Sequence, residues 1–201
     1  SPVLTKDLQA RMLSEIVMPT LKGMASSGRP YAGVLYVGVM ITPDGPMVLE
    51  YNCRLGDPET QVIMARLESD LLPLLEGVVH GNLHEVHPKW AHEAAVCVVM
   101  AARGYPARPE TGQVIAGLEE AARVEGARVF HAGTAARDGH VVTAGGRVLG
   151  VTATAPTLTG ARARAYDAAA RIRFDGAQLR TDIGSDLIEY LSRQRAEKRG
   201  D

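Results

Sequence analysis

Glu50, Asn52 and Arg54 place a carboxylate, a carboxamide and a guanidinium at every second position of a run rich in β-forming residues. Side chains two apart on a strand share a face. These three therefore line up on one side, while Leu49, Tyr51, Cys53 and Leu55 turn toward a core. Glu50 and Asn52 supply hard oxygen donors that suit Mg2+ or Mn2+, an ion that fills the rest of its octahedron with water and phosphate oxygens. A guanidinium beside them can take a phosphate or a carboxylate with two parallel hydrogen bonds. The pattern points to a metal–phosphate site. It also fits an exposed sheet face on which Glu50 and Arg54 form an ion pair. Gly56-Asp57-Pro58-Glu59 follows at once. Asp at the N-cap with Pro at the first helical position is a strong helix start. Its free N–H groups and partial positive charge favour anions.

These residues need elements to hold them. Thr5 caps a helix whose apolar face is Leu8, Met12 and Ile16, and Pro19 should kink or end it. The β-rich runs 32–41 and 47–54 flank Pro43-Asp44-Gly45, which reads as a hairpin. Beyond Pro58 the apolar spacing of Val62, Ile63, Leu67, Leu71, Leu74, Leu75 and Val78 predicts one continuous helix. Residues 80–92 are polar and irregular, and a boundary is expected there. Short strands follow at 94–101, 129–132, 141–144 and 148–154, with Asp138-Gly139 and Gly145-Gly146 as hairpin turns. Helices are expected over 156–172 and after Gly184, the latter with Leu187, Ile188 and Leu191 on one face. Such short, regular strands suggest a small barrel or sandwich beside the helices. The fold class is α+β.

Composition narrows the function classes. The chain has 201 residues, a formal net charge of -1 and 46% hydrophobic residues, enough apolar material for a core and no basic stripe. Neither a nucleic-acid nor a membrane partner is called for. No apolar run is long enough to span a bilayer, and no signal-peptide pattern is present. The start, Ser1-Pro2-Val3-Leu4, reads like the middle of a loop. Cys53 and Cys97 each sit in an apolar run and read as buried thiols of a reducing compartment. His80, His84, His87 and His92 tempt a zinc assignment, but no Cys joins them and a solvated segment is the simpler reading. His131 reads as a hydrogen-bonded structural histidine. No P-loop and no nucleophile elbow occur.

The run Glu50-Tyr51-Asn52-Cys53-Arg54-Leu55-Gly56-Asp57-Pro58-Glu59-Thr60-Gln61 closely resembles the signature of the glycinamide ribonucleotide synthetases. Tyr31-Ala32-Gly33-Val34-Leu35-Tyr36 is similar to the family's preceding strand. Gly104-Tyr105-Pro106, Phe130-His131-Ala132-Gly133-Thr134, Thr143-Ala144-Gly145-Gly146-Arg147-Val148-Leu149 and Ile172-Arg173-Phe174-Asp175-Gly176 resemble its C-terminal domain. The resemblance covers nearly the whole chain.

It implies an ATP-grasp ligase. Such an enzyme joins the amine of 5-phosphoribosylamine to glycine, splitting ATP to ADP and phosphate through glycyl phosphate. By resemblance, residues 1–92 are the C-terminal part of an ATP-grasp domain, an antiparallel sheet with helices. Residues 93–201 are a barrel-sandwich hybrid domain. Glu50 and Asn52 become the Mg2+ or Mn2+ ligands at the ATP phosphates. Arg54 contacts the transferring phosphate or the glycine carboxylate, and Asp57 and Glu59 face the substrates. A cytoplasmic location is implied. The family's N-terminal half, a Rossmann-like domain and a mobile glycine-rich subdomain, has no counterpart in these residues. Inactivity of the chain alone follows. Another ATP-grasp ligase of purine synthesis and a non-catalytic binding module are the rival expectations.

Overall fold

The computed structural model describes residues 3–199. The chain forms two compact units, Ser1–Gly56 with Ser69–Lys89, and Asp57–Glu68 with Trp90–Asp201.

In the first unit, Thr5 caps α1 (Lys6–Met12) by accepting from the Leu8 N–H at 3.1 Å. Ile16 is buried and Leu8 and Met12 are half-buried, the expected apolar face. Pro19 does not end the helix. A π-helical turn, Leu13–Val17, precedes α2 (Met18–Ser26), and Pro19 sits in the first turn of α2. A proline lacks an N–H and crowds the carbonyl one turn back, and the wider π turn absorbs both defects.

Strands β1 (Tyr36–Thr42) and β2 (Gly45–Asn52) form the expected antiparallel hairpin around Pro43-Asp44. The register runs Gly38 opposite Glu50 and Val39 opposite Val48, so Leu49 is an extra, bulged residue. Two expectations fail here. Strand β2 ends at Asn52, leaving Cys53 and Arg54 in a bend. Nor do Leu49, Tyr51 and Cys53 enter a core: Leu49 is 65% exposed, Tyr51 44% exposed, and Cys53 is also exposed. The bulge breaks the alternation, and a two-stranded ribbon buries little by itself. Tyr51 instead bonds the Thr20 hydroxyl of α2 at 2.9 Å.

The single helix expected beyond Pro58 is two helices, α3 (Glu59–Arg66) and α4 (Leu72–His80). Between them Asp70 accepts from the Leu72 N–H at 2.9 Å, and Pro73 follows in the first turn of α4. That side-chain-to-backbone bond turns the chain and restarts the helix. Helix α3 belongs to the second unit and α4 to the first.

The second unit is built on β3 (Ala94–Ala101), β4 (Ala127–His131) and β7 (Arg147–Ala155), an antiparallel sheet in the order β3-β7-β4. Helix α6 (Leu158–Arg171) is capped by Thr157 and buries Ala161, Ala165, Ala168 and Ala169. These small side chains let α6 lie close on Val96, Val98, Met100, Leu149, Val151 and Ala153, all buried. Helix α3 packs against β3 and β7. Its Gln61 approaches Gly150, where a Cβ would lie 3.6 Å from the Gln61 amide nitrogen.

Two elements escaped the sequence pattern: α5 (Leu118–Ala122), too short to show periodicity, and β5 (Thr134–Arg137), whose Thr-Ala-Ala-Arg carries little β-propensity. Strand β5 pairs with β6 (His140–Thr143) around Asp138-Gly139, the expected turn, with φ of 50° and 75°. Gly145-Gly146 is not a hairpin turn. It carries the chain from β6, paired with β5, to β7, paired with β3 and β4. A Cβ on Gly145 would lie 3.1 Å from the Gly133 Cα, and one on Gly146 would press on the Tyr105 ring. Isolated bridges join Val114 to Val142 and Ala116 to Arg173. The last helix, α7 (Ser185–Arg199), begins after Gly184.

Gly117 tests how tightly this unit is closed. Its φ is +85°, and a Cβ would collide with the Arg171 carbonyl oxygen at the end of α6. Gly117→Ala is expected to cost about 2 kcal/mol or more, from the left-handed backbone plus displacement of α6. A urea midpoint unchanged from the parent chain would contradict this packing.

Candidate functional site

The first unit brings Glu50 and Asn52 together. The Asn52 Nδ2 donates to Glu50 Oε1 at 3.1 Å, so both side chains stand on one side of the end of β2. That bond does not use the Asn52 side-chain oxygen, which could serve as a second hard donor beside the carboxylate. Gly38 lies directly across the hairpin, and a Cβ there would come within 3.0 Å of the Glu50 Cγ. The missing side chain gives Glu50 its room. Glu50 is exposed. Two hard oxygens suit a divalent cation whose other positions belong to water and phosphate. Among the described residues no three or more of His, Cys, Asp and Glu gather around a metal position.

Arg54 stands two residues beyond the strand, so strand alternation does not set its direction. Its Nη1 donates to the Leu55 carbonyl at 2.9 Å, and the residue is exposed. The alternative reading of a Glu50–Arg54 ion pair is therefore replaced by two separate contacts, Glu50 to Asn52 and Arg54 to Leu55.

The second unit begins at Asp57. Asp57 does not stand at the cap position of α3, which Pro58 occupies. Its carboxylate turns elsewhere. Oδ1 accepts from Gln61 Nε2 at 3.0 Å, and Oδ2 lies 3.2 Å from Arg147 Nη2. Arg147 Nη1 donates to the Asp57 carbonyl at 2.7 Å. Glu59 is exposed in the first turn of α3. Burial pushes the Cys97 thiol above its usual range, the nearby Thr152 hydroxyl offsets part of this, and the charges of Asp57 and Glu59 push it further up. Cys97 thus stays a protonated thiol at neutral pH.

Arg147 and Asp57 side chains are 39% and 40% exposed. Asp57→Ala is therefore expected to cost only about 0.5 kcal/mol in urea unfolding, less than a lost helix cap would. A loss near 2 kcal/mol would restore a structural role for the carboxylate.

The other histidine and thiol expectations resolve simply. His131 is hydrogen-bonded as expected, Nδ1 to the Thr134 hydroxyl at 3.0 Å, but is exposed. Cys97 is buried and free, whereas Cys53 is free and exposed. A cavity of about 350 Å³ in the first unit is lined by Leu21, Tyr31, Leu35, Leu83 and His84, among others, and includes neither Glu50 nor Asn52.

Sequence reasoning missed three contributors. Gln61 stands four residues after Asp57, and that helical spacing was a usable signal. Gly38 becomes visible only once the bulged register is known. Arg147 lies 90 residues from Asp57, and nothing local ties the two together.

Residues 1–60 match the family model described as phosphoribosylglycinamide synthetase, ATP-grasp (A) domain, and residues 95–186 match that described as phosphoribosylglycinamide synthetase, C domain. A phosphoribosylamine–glycine ligase of Brucella melitensis is 50% identical over 189 residues, 94% of this chain and 44% of the relative. One of Mesorhizobium japonicum is 50% identical over 196 residues, 98% of this chain and 45% of the relative. The crystal structure of phosphoribosylamine–glycine ligase from Thermotoga maritima superposes with a TM-score of 0.77 at 38% identity, covering 91% of this chain and 45% of that one. The chain thus spans less than half the length of the proteins it matches.

Proposed function

The chain belongs to the phosphoribosylglycinamide synthetase family, and from that premise we propose that it carries part of the active site of an ATP-dependent ligase. That enzyme joins glycine to 5-phosphoribosylamine, giving glycinamide ribonucleotide, ADP and phosphate through glycyl phosphate. Residues 1–92 would close an ATP-grasp domain, and residues 93–201 would form the barrel-sandwich hybrid domain that follows it in sequence. The observation that carries the reading is the Glu50–Asn52 pair at the end of β2, inside the stretch that matches the ATP-grasp model.

Glu50 and Asn52 would hold Mg2+ or Mn2+. The ion supplies charge neutralisation at the ATP phosphates, the main requirement of phosphoryl transfer. The chain's own residues position the reactants. Arg54 orients the transferring phosphate or the glycine carboxylate with its planar donors. Asp57 and Glu59, acceptor-only carboxylates at the head of α3, suit the amino groups of glycine and phosphoribosylamine. No helix among the described residues is long and apolar enough to cross a membrane. The free thiols Cys53 and Cys97 agree with a cytoplasmic enzyme.

The test uses a full-length ligase carrying this chain. With ATP, Mg2+, glycine and freshly made phosphoribosylamine, ADP release should require both glycine and the amine. ADP release that instead follows another carboxylate substrate would assign a different ATP-grasp reaction. Metal-dependent nucleotide binding without turnover would mark a binding module.

A further inference from the structure

We propose that Arg147 is a positioning residue of the ligase: its guanidinium holds both the carboxylate and the backbone carbonyl of Asp57, and so presents the head of α3 to the substrates. This rests on the ligase reading above and adds to it a residue from β7.

Three contacts converge on one residue. Arg147 Nη2 lies 3.2 Å from Asp57 Oδ2, Arg147 Nη1 donates to the Asp57 carbonyl at 2.7 Å, and Gln61 Nε2 donates to Asp57 Oδ1 at 3.0 Å. A guanidinium is a rigid planar fork, so gripping a side chain and a main-chain oxygen of the same residue fixes rotamer and backbone together. Arg147 itself is well placed to be rigid. It opens β7, the central strand of the sheet, and Val148 and Leu149 beside it are 0% and 1% exposed. Gly133 lies against its carbonyl oxygen, with the Gly133 N–H donating to it at 2.8 Å.

The clamp acts on orientation more than on stability. Both partners are well over a third exposed, so the pair contributes little to folding. A loose Asp57 would sample several rotamers, and misplacement of about 1 Å can lower a rate by roughly a hundredfold.

The experiment compares Arg147→Met, Arg147→Lys, Asp57→Asn and the double variant Asp57→Asn/Arg147→Met in the full-length ligase. Arg147→Met should lower kcat for glycine-dependent ADP release at least tenfold, with KM for ATP within twofold of the parent. Arg147→Lys, which keeps a donor and the charge, should recover a large part of that loss. The double variant should be no slower than the slower single variant. Arg147→Met with parental kcat, or two single losses that multiply in the double variant, would overturn the proposal. If Arg147→Met does not fold, the comparison of Arg147→Lys with Asp57→Asn decides by the same kcat and KM criteria. If the parent protein itself shows no glycine-dependent ADP release, the ligase reading fails separately. The clamp is then tested by the crystal structure of Arg147→Met, where an Asp57 side chain and carbonyl still held in their parental orientation overturn it.

Discussion

Glu50→Gln in a full-length ligase carrying this chain should cut glycine-dependent turnover at least a hundredfold while leaving the fold intact. The substitution keeps the shape of the side chain and its contact with Asn52 Nδ2, since a Gln carbonyl oxygen accepts as a carboxylate does. It removes the negative charge that a divalent cation needs most in a site with only one carboxylate. Loss of one preorganised electrostatic contact to the transition state costs about 3 kcal/mol, roughly a hundredfold in rate. Glu50 is exposed, and substitutions at such positions change stability by about 0.5 kcal/mol or less. The measurement is kcat over a Mg2+ titration, with melting as control. Near-parental turnover at saturating Mg2+ would remove Glu50 from the metal site.

The second large effect concerns the chain by itself. Residues 1–201 should show no glycine-dependent ADP release above a heat-killed control. The chain spans 44% of the length of the Brucella melitensis relative, and ATP-grasp chemistry clamps its nucleotide between two subdomains. One wall forfeits most of the positioning advantage, which is worth about 7 kcal/mol or more. It also leaves an acyl phosphate open to water. Addition of the complementary N-terminal half as a separate polypeptide should restore turnover. Turnover by residues 1–201 alone would show that one wall suffices.

How much of this was legible in the sequence depends on the range over which each feature is determined. The hairpin around Pro43-Asp44-Gly45, strand β3, the Asp138-Gly139 turn and helix α6 were readable because turn chemistry and apolar spacing act within a few residues. The i, i+2 spacing of Glu50 and Asn52 belongs to the same class, since both precede the end of the strand and follow the bulge at Leu49. Arg54 does not, because β2 stops at Asn52 and alternation stops with it. The expected core face of Leu49, Tyr51 and Cys53 was misread because alternation says which side a residue faces and not whether anything covers that side. The long helix beyond Pro58 was misread for a different reason. Its apolar spacing continues across Leu67 and Leu71, but Asp70 and Pro73 restart the chain, and the two halves pack in different units. Asp57 shows the limit most clearly. An Asp-Pro dipeptide ahead of an apolar run is a strong cap signal, yet an arginine 90 residues away takes the carboxylate. Only tertiary structure brings that competitor within reach.

Glu50 and Asn52 are proposed to hold the divalent cation of the reaction. A crystal of the full-length ligase grown with Mn2+ and ATP, measured for the anomalous signal of Mn2+, tests it most directly. A peak is expected about 2.1 Å from a Glu50 carboxylate oxygen and from the Asn52 side-chain oxygen, with phosphate oxygens completing the shell. A peak that lies on the nucleotide but beyond coordination distance of both side chains would contradict it.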